Sequence, residues 1–233
     1  MPLKVNLYFR ILREATTNVL QTFLKMRFLQ ILFFLIPYSL AFGQVKKEST
    51  WKPYVVSDIK RLHLVSFDSM YYPKAYRIWN SHQVVELIKI NDSIYTGQLV
   101  NFVAKITRKE KMIGTISQKL KIPGYTVKLL IEKLSAENIE TLPDSYDVKD
   151  YVNGLDGTTI LFEICNRNSS RLYSYWEPEN DYYQKPEIPE VKNVRDILKT
   201  IKNEIALEKL FSKFTDDLGP GTYDLGGIIM EKR

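Results

Sequence analysis

Residues 84–122 read VVELIKINDSIYTGQLVNFVAKITRKEKMIGTISQKLKI, and the period of this stretch decides the fold. VVELIKIN (84–91) and IYTGQLVNFVAKIT (94–107) are rich in β-branched and aromatic residues with a period of two, the spacing of half-buried strands. Asp92-Ser93 reads as a two-residue hairpin loop, which would set Ile90 opposite Tyr95, Ile88 opposite Gly97 and Glu86 opposite Leu99. A charged turn, RKEK (108–111), leads to Met112, Gly114, Ile116, Leu120 and Ile122, which share even parity with Gln118 as the polar exception. The stretch is expected to form an antiparallel meander of three strands.

Working toward the C-terminus, Pro123-Gly124 ends the meander, and Val127, Leu130, Ile131 and Leu134 form a helical stripe. After a polar loop (144–157), TTILFEI (158–164) and RLYSYWE (171–177) read as a second hairpin joined by NRNSS. Pairing residue 165 with 171 puts Ile160, Phe162, Ile164, Leu172 and Trp176 on a core face. Thr159, Leu161, Glu163, Arg171, Tyr173 and Tyr175 then share the opposite face. A long amphipathic helix follows, with Val191, Val194, Ile197, Leu198, Ile201, Ile205, Phe211 and Phe214 at helical spacing. Pro189 suits its first turn, and Gly219-Pro220-Gly221 stops it. GGIIMEKR at the C-terminus reads either as a last edge strand or as a frayed tail. Residues 53–80 carry only a weak helical hint at Val56, Ile59 and Leu62. The expected fold class is α+β: an antiparallel sheet (meander plus hairpin) packed on one face by a long C-terminal amphipathic helix and a shorter middle helix.

Toward the N-terminus, residues 25–44 (KMRFLQILFFLIPYSLAFGQ) have the layout of an export leader. Lys25 and Arg27 form a basic flank, Phe28 to Leu40 an apolar run, and Ala41-Phe42-Gly43 a small-x-small cleavage pattern. An apolar run of about 13 residues is short for a bilayer core of about 30 Å. The expected organisation is a signal peptide within 1–43, cleaved near Gly43 and Gln44, followed by a single α+β domain over 44–233. Translation is expected to start at Met26, with the preceding residues an extension upstream of the true start. The rival reading is an uncleaved single-pass anchor through residues 19–42. No cysteine follows the leader, which leaves no site for lipid attachment after cleavage, and Cys165 alone makes no intrachain disulfide.

The chain of 233 residues carries 33 Lys+Arg against 27 Asp+Glu, formally +6. Lys4, Arg10, Arg13, Lys25 and Arg27 against Glu14 concentrate that charge in 1–43, leaving 28 basic and 26 acidic residues, or +2, in 44–233. A nearly neutral domain gives no electrostatic reason to expect nucleic acid.

Few residues suggest chemistry. Asp156 and Glu163 are the candidate carboxylate pair, but their odd separation points them to opposite faces of one strand. Glu163 is expected to pair diagonally with Arg171. His63 and His82 lack metal-ligand spacing, and Cys165 ends an apolar strand, so no metal, cofactor or catalytic residue is assigned. Tyr173 and Tyr175, placed on the outer face with Glu163 and Arg171, are the candidate binding residues for a protein or saccharide partner. On that reading, replacing both tyrosines by Ala leaves folding nearly intact.

The leader ending Ala41-Phe42-Gly43-Gln44, with Arg77-Ile78-Trp79, Tyr95-Thr96-Gly97, Asp156-Gly157-Thr158-Thr159, Phe162-Glu163 and Tyr173-Ser174-Tyr175-Trp176, resembles small exported proteins of unknown function common in Bacteroidetes. The resemblance implies export to the periplasm or beyond, and it implies no activity. Two function classes follow: a non-enzymatic exported binding module around Tyr173 and Tyr175, or an exported glycosidase-like hydrolase using Asp156 and Glu163.

Overall fold

A computed structural model of the chain describes residues 49–67 and 72–233; the leader-like segment lies outside the described residues. Eight strands form one antiparallel sheet: β1 (Lys74–Asn80), β2 (Gln83–Lys89), β3 (Tyr95–Ile106), β4 (Met112–Ile122), β5 (Thr159–Asn166), β6 (Ser169–Trp176), β7 (Gly221–Asp224) and β8 (Ile229–Lys232). Among the described residues four α-helices accompany them: α1 (Lys52–Arg61), α2 (Gly124–Ala136), α3 (Pro189–Glu204) and α4 (Leu207–Asp216). The order is β6-β5-β1-β2-β3-β7-β8, with β4 on the other side of β3. The α+β class and both expected hairpins are present. What joins them is β1, which pairs with β2 on one side and β5 on the other.

Both sheet faces are covered, where the sequence suggested helices on one. On the first face, Tyr76, Ile78, Val85, Leu87, Leu99, Phe162 and Ile164 pack against Val127, Leu130, Ile131 and Leu134 of α2 and Val191, Val194, Ile197 and Ile201 of α3. Gly97 makes close approach there possible: a Cβ on it would sit 2.6 Å from the Glu86 carbonyl and 2.7 Å from Val127 Cγ2. On the second face, Val55 and Ile59 of α1 with Leu62 and Leu64 cover Trp79, Val84, Val100 and Leu161. Pro53 in the first turn of α1 needs no backbone donor there.

The expected single C-terminal helix is two. Ile205 is extended (φ −128°, ψ 117°) and separates α3 from α4. At 100° per residue, Leu207 in an unbroken helix would lie about 200° around from Ile205. The break turns both inward, and both are buried.

Both hairpin registers differ from the sequence reading by one residue. Lys89 opposes Tyr95 and Glu86 opposes Gln98, because the β2–β3 connection spans Ile90–Ile94, where the Asn91 side chain accepts the Ser93 and Ile94 N–H groups. In the second hairpin Asn166 opposes Ser169, leaving a two-residue loop closed by the Asn166 side chain on the Asn168 and Ser169 N–H groups. A one-residue slip exchanges the faces of a strand. Tyr173 therefore faces Phe162, with stacked rings 5.0 Å apart, and Tyr175 opposes Ile160. Both tyrosines are in the core, at 1% and 0% exposure, while Leu172 turns to the second face. Replacing Tyr173 by Ala should cost about 3–5 kcal/mol of stability, measured by urea unfolding. A loss below about 1 kcal/mol would contradict this placement.

Candidate functional site

Three of the four sequence-predicted binding residues do one structural job. The Arg171 guanidinium donates to the Glu140 carbonyl at 2.8 Å and to the Leu142 carbonyl. Tyr173 Oη donates to the Ile139 carbonyl at 2.5 Å, and Tyr175 Oη to the Pro143 carbonyl at 2.9 Å. The outward N–H of Ser174 reaches Asp144 Oδ2 at 3.2 Å. Together they fasten residues 139–144 over the free edge of β6. Burial raises both tyrosine pKa values, so the phenols stay protonated donors.

Glu163 is elsewhere, on the second face. Its partner is Arg77, directly opposite on β1 and wholly buried, and not Arg171, which opposes Ile164 on the first face. Arg77 Nη1 donates to Glu163 Oε2 at 2.6 Å, and Nε to Glu86 Oε2 at 3.0 Å. Nη2 also reaches Glu86 and the Val65 carbonyl, and the Phe67 ring lies 4.0 Å from the guanidinium carbon. Gln98 Nε2 donates to the remaining Glu86 oxygen at 3.0 Å. Glu163, Arg77, Glu86, Gln98 and Lys121 thus form one polar row across five strands.

The other candidate residues do not converge. Asp156 is exposed in the loop before β5, where its carbonyl accepts from Trp176 Nε1 at 2.8 Å. The four steps from Thr159 to Glu163 alone cover ~13 Å of strand. Cys165 is buried against Phe67, Tyr72, Ala75 and Ile88. It opposes Ala75, and His82 follows the far end of β1, at least ~17 Å of strand away. Among the described residues, no group of three or more His, Cys, Asp or Glu could hold a metal ion, and no helix is long and apolar enough to cross a membrane.

The third strand of the expected meander, β4, is present, and it lies at an open edge of the sheet. Phe102 N–H donates to the His82 carbonyl at 2.9 Å and Ile90 N–H to the Ile94 carbonyl at 2.9 Å. Even-numbered residues of β3 therefore direct their backbone groups to the β2 side, and odd-numbered ones to β4. The β3–β4 register pairs Leu99 with Leu120, Asn101 with Gln118 and Val103 with Ile116. Thr115, Ser117, Lys119 and Lys121 are left with N–H and C=O pointing away from the sheet. No hydrogen bond beyond the β3 ladder reaches the β4 backbone among the described residues. At its C-terminal end, β4 runs through Pro123 to Gly124 and Tyr125. Those two residues line an open groove of about 560 Å³ with Asp92, Ser93, Ile94, Tyr95 and Lys128. The alternation of Met112–Ile122 made the strand legible; its exposure follows only from the pairing order.

No family model matches the chain, and no curated protein matches it.

Two outcomes test the surroundings. Arg77→Ala leaves two carboxylates buried without their cation, and stability should fall by about 3–5 kcal/mol in urea unfolding; a near-neutral result would contradict the buried pairing. His82 stacks on Phe211 (5.9 Å) and meets Phe102 edge-on (5.8 Å). Burial holds its pKa below the usual 6.5, against opposing effects of the Leu225 and Phe102 backbone and of Asp224, and with help from Arg61. The unfolded chain binds this proton more readily, so the contribution is complete above about pH 6.5 and is lost as pH falls through the lowered folded value. His82→Gln should flatten that decline in pH-dependent melting; an unchanged profile would exclude His82 as its source.

Proposed function

We propose that the protein is a non-enzymatic binding module, exported by its leader, that contacts a partner protein through the β4 side of its sheet. One observation carries this reading: β4 is an 11-residue edge strand whose outward backbone groups no described residue covers. On the β6 edge, by contrast, Asp144 takes the outward Ser174 N–H and Tyr151 and Gln184 take the Trp176 carbonyl, and β8 is only four residues long. Long uncovered edges are templates for pairing with another chain. Met112, Ile113 and Ile116 add exposed apolar surface at 46%, 59% and 37%. A row of alternating backbone donors and acceptors suits an extended polypeptide better than a saccharide.

The hydrolase alternative draws no support from the placement of its two carboxylates. Glu163 is committed to Arg77 in a buried ion pair, and Asp156 lies exposed in the loop before β5. A photo-crosslinking amino acid at Ser117, introduced in the native cell, should give a discrete crosslinked species. The same group at exposed Tyr182 should not. Equal crosslinking from both sites would contradict the reading. Turnover of chromogenic glycosides that disappears in Glu163→Gln would replace it with the hydrolase.

A further inference from the structure

We propose that the partner segment is an acidic extended peptide that adds to β4 as a ninth strand; this rests on the contact surface proposed above. The charge distribution selects the occupant. Residues 108–122 contain Arg108, Lys109, Lys111, Lys119 and Lys121 against Glu110 alone, and all six are exposed. The groove at the C-terminal end of the strand carries one charge of each sign, Lys128 and Asp92, so the basic character belongs to the strand and the turn before it.

A second copy of this chain would bring one such basic edge against another. Residues 1–48 offer no complement either, with seven basic residues against Glu14 and Glu48. Lysines on an open edge oppose self-pairing of this kind. They favour a strand of opposite charge, since cross-strand pairs of unlike charge stabilise and like pairs destabilise.

The two faces of β4 define the pattern such a peptide needs. Ile116, Leu120 and Ile122 follow the first face, alongside Val103, Leu99 and Gly97 of β3. Thr115, Ser117, Lys119 and Lys121 follow the second, alongside Ala104, Phe102, Val100 and Gln98. An added strand meets the first set with alternate apolar residues and the second with Asp or Glu. Its backbone engages the outward groups of Thr115, Ser117, Lys119 and Lys121.

The test uses the purified full chain and a fluorescein-labelled peptide, Val-Glu-Ile-Asp-Val-Glu-Ile, beside the same peptide with every acidic residue replaced by Lys. In fluorescence anisotropy at low salt, the acidic peptide should bind at least tenfold more tightly than the basic one. The preference should weaken near 0.5 M salt, where the screening length is about 4 Å. Ser117→Pro removes an outward donor without touching the β3 ladder, a position where a sheet tolerates Pro. It should lose at least tenfold in binding at an unchanged melting temperature. Lys119→Glu combined with Lys121→Glu also removes the Lys119 Nζ bond to the His63 carbonyl, so it is read beside Lys121→Glu alone and its own melting temperature; the double variant should reverse the preference and the single one weaken it. Equal binding of both peptides, or full binding by Ser117→Pro, would overturn the proposal. A dimer seen in light scattering and broken by Ser117→Pro would give the edge to a second copy, overturning the acidic occupant and leaving the contact surface standing. Crosslinking from Ser117 without any peptide binding would do the same, and absence of both would remove the surface as well.

Discussion

Arg77 lies completely buried between Glu86 and Glu163, each directly opposite it on the neighbouring strand, and the central sheet takes its alignment from that triad. A buried ion pair is a poor source of net stability, because desolvation offsets most of the attraction. Its effect here is on register. Sliding β1 by one residue against either neighbour would carry the guanidinium to the first face, among Ile78, Phe162 and Val85, and strand both carboxylates. The apolar residues alone discriminate weakly, since β1 and β2 are buried on both faces. Val65 and Phe67 close over the triad, which ties the chain after α1 to the sheet it covers.

The same double burial explains what was legible in the sequence. Strands β2, β3, β5 and β6 stood out as runs of β-branched and aromatic residues, and β4 by the even parity of its apolar positions. The α2 stripe stood out because Val127, Leu130, Ile131 and Leu134 face one way. β1 was hidden: KAYRIWN is buried on both sides, and Arg77 at its centre reads as a surface residue until its two carboxylate partners are known. Both register slips came from turn geometry. Asn91 and Asn166 side chains close the loops, lengthening one and shortening the other relative to the expected turns. That single residue moved Tyr173 and Tyr175 from the expected outer face into the core, and with them the candidate binding site.

Seen as a whole, the sheet is closed almost everywhere. α2 and α3 cover one face, α1 and the segment after it the other, and residues 139–144 are held along β6 by Arg171, Tyr173 and Tyr175, which donate to their carbonyls, and by Asp144, which accepts from the Ser174 N–H. β4 is the long exception. Its outward groups lie beside exposed Lys119 and Lys121, charges that discourage edge-to-edge self-association and select among other partners. The polar row that starts at the buried Arg77 triad ends at Lys121 on this edge, so the interior and the open margin share one register.

Residue-resolved amide hydrogen exchange of the purified protein tests the openness of that margin most directly. Ile116, Gln118 and Leu120 should be protected by the β3 ladder, while Thr115, Ser117, Lys119 and Lys121 should exchange orders of magnitude faster. Uniform protection along Met112–Ile122 would mean that the edge is already covered, and would contradict an open β4.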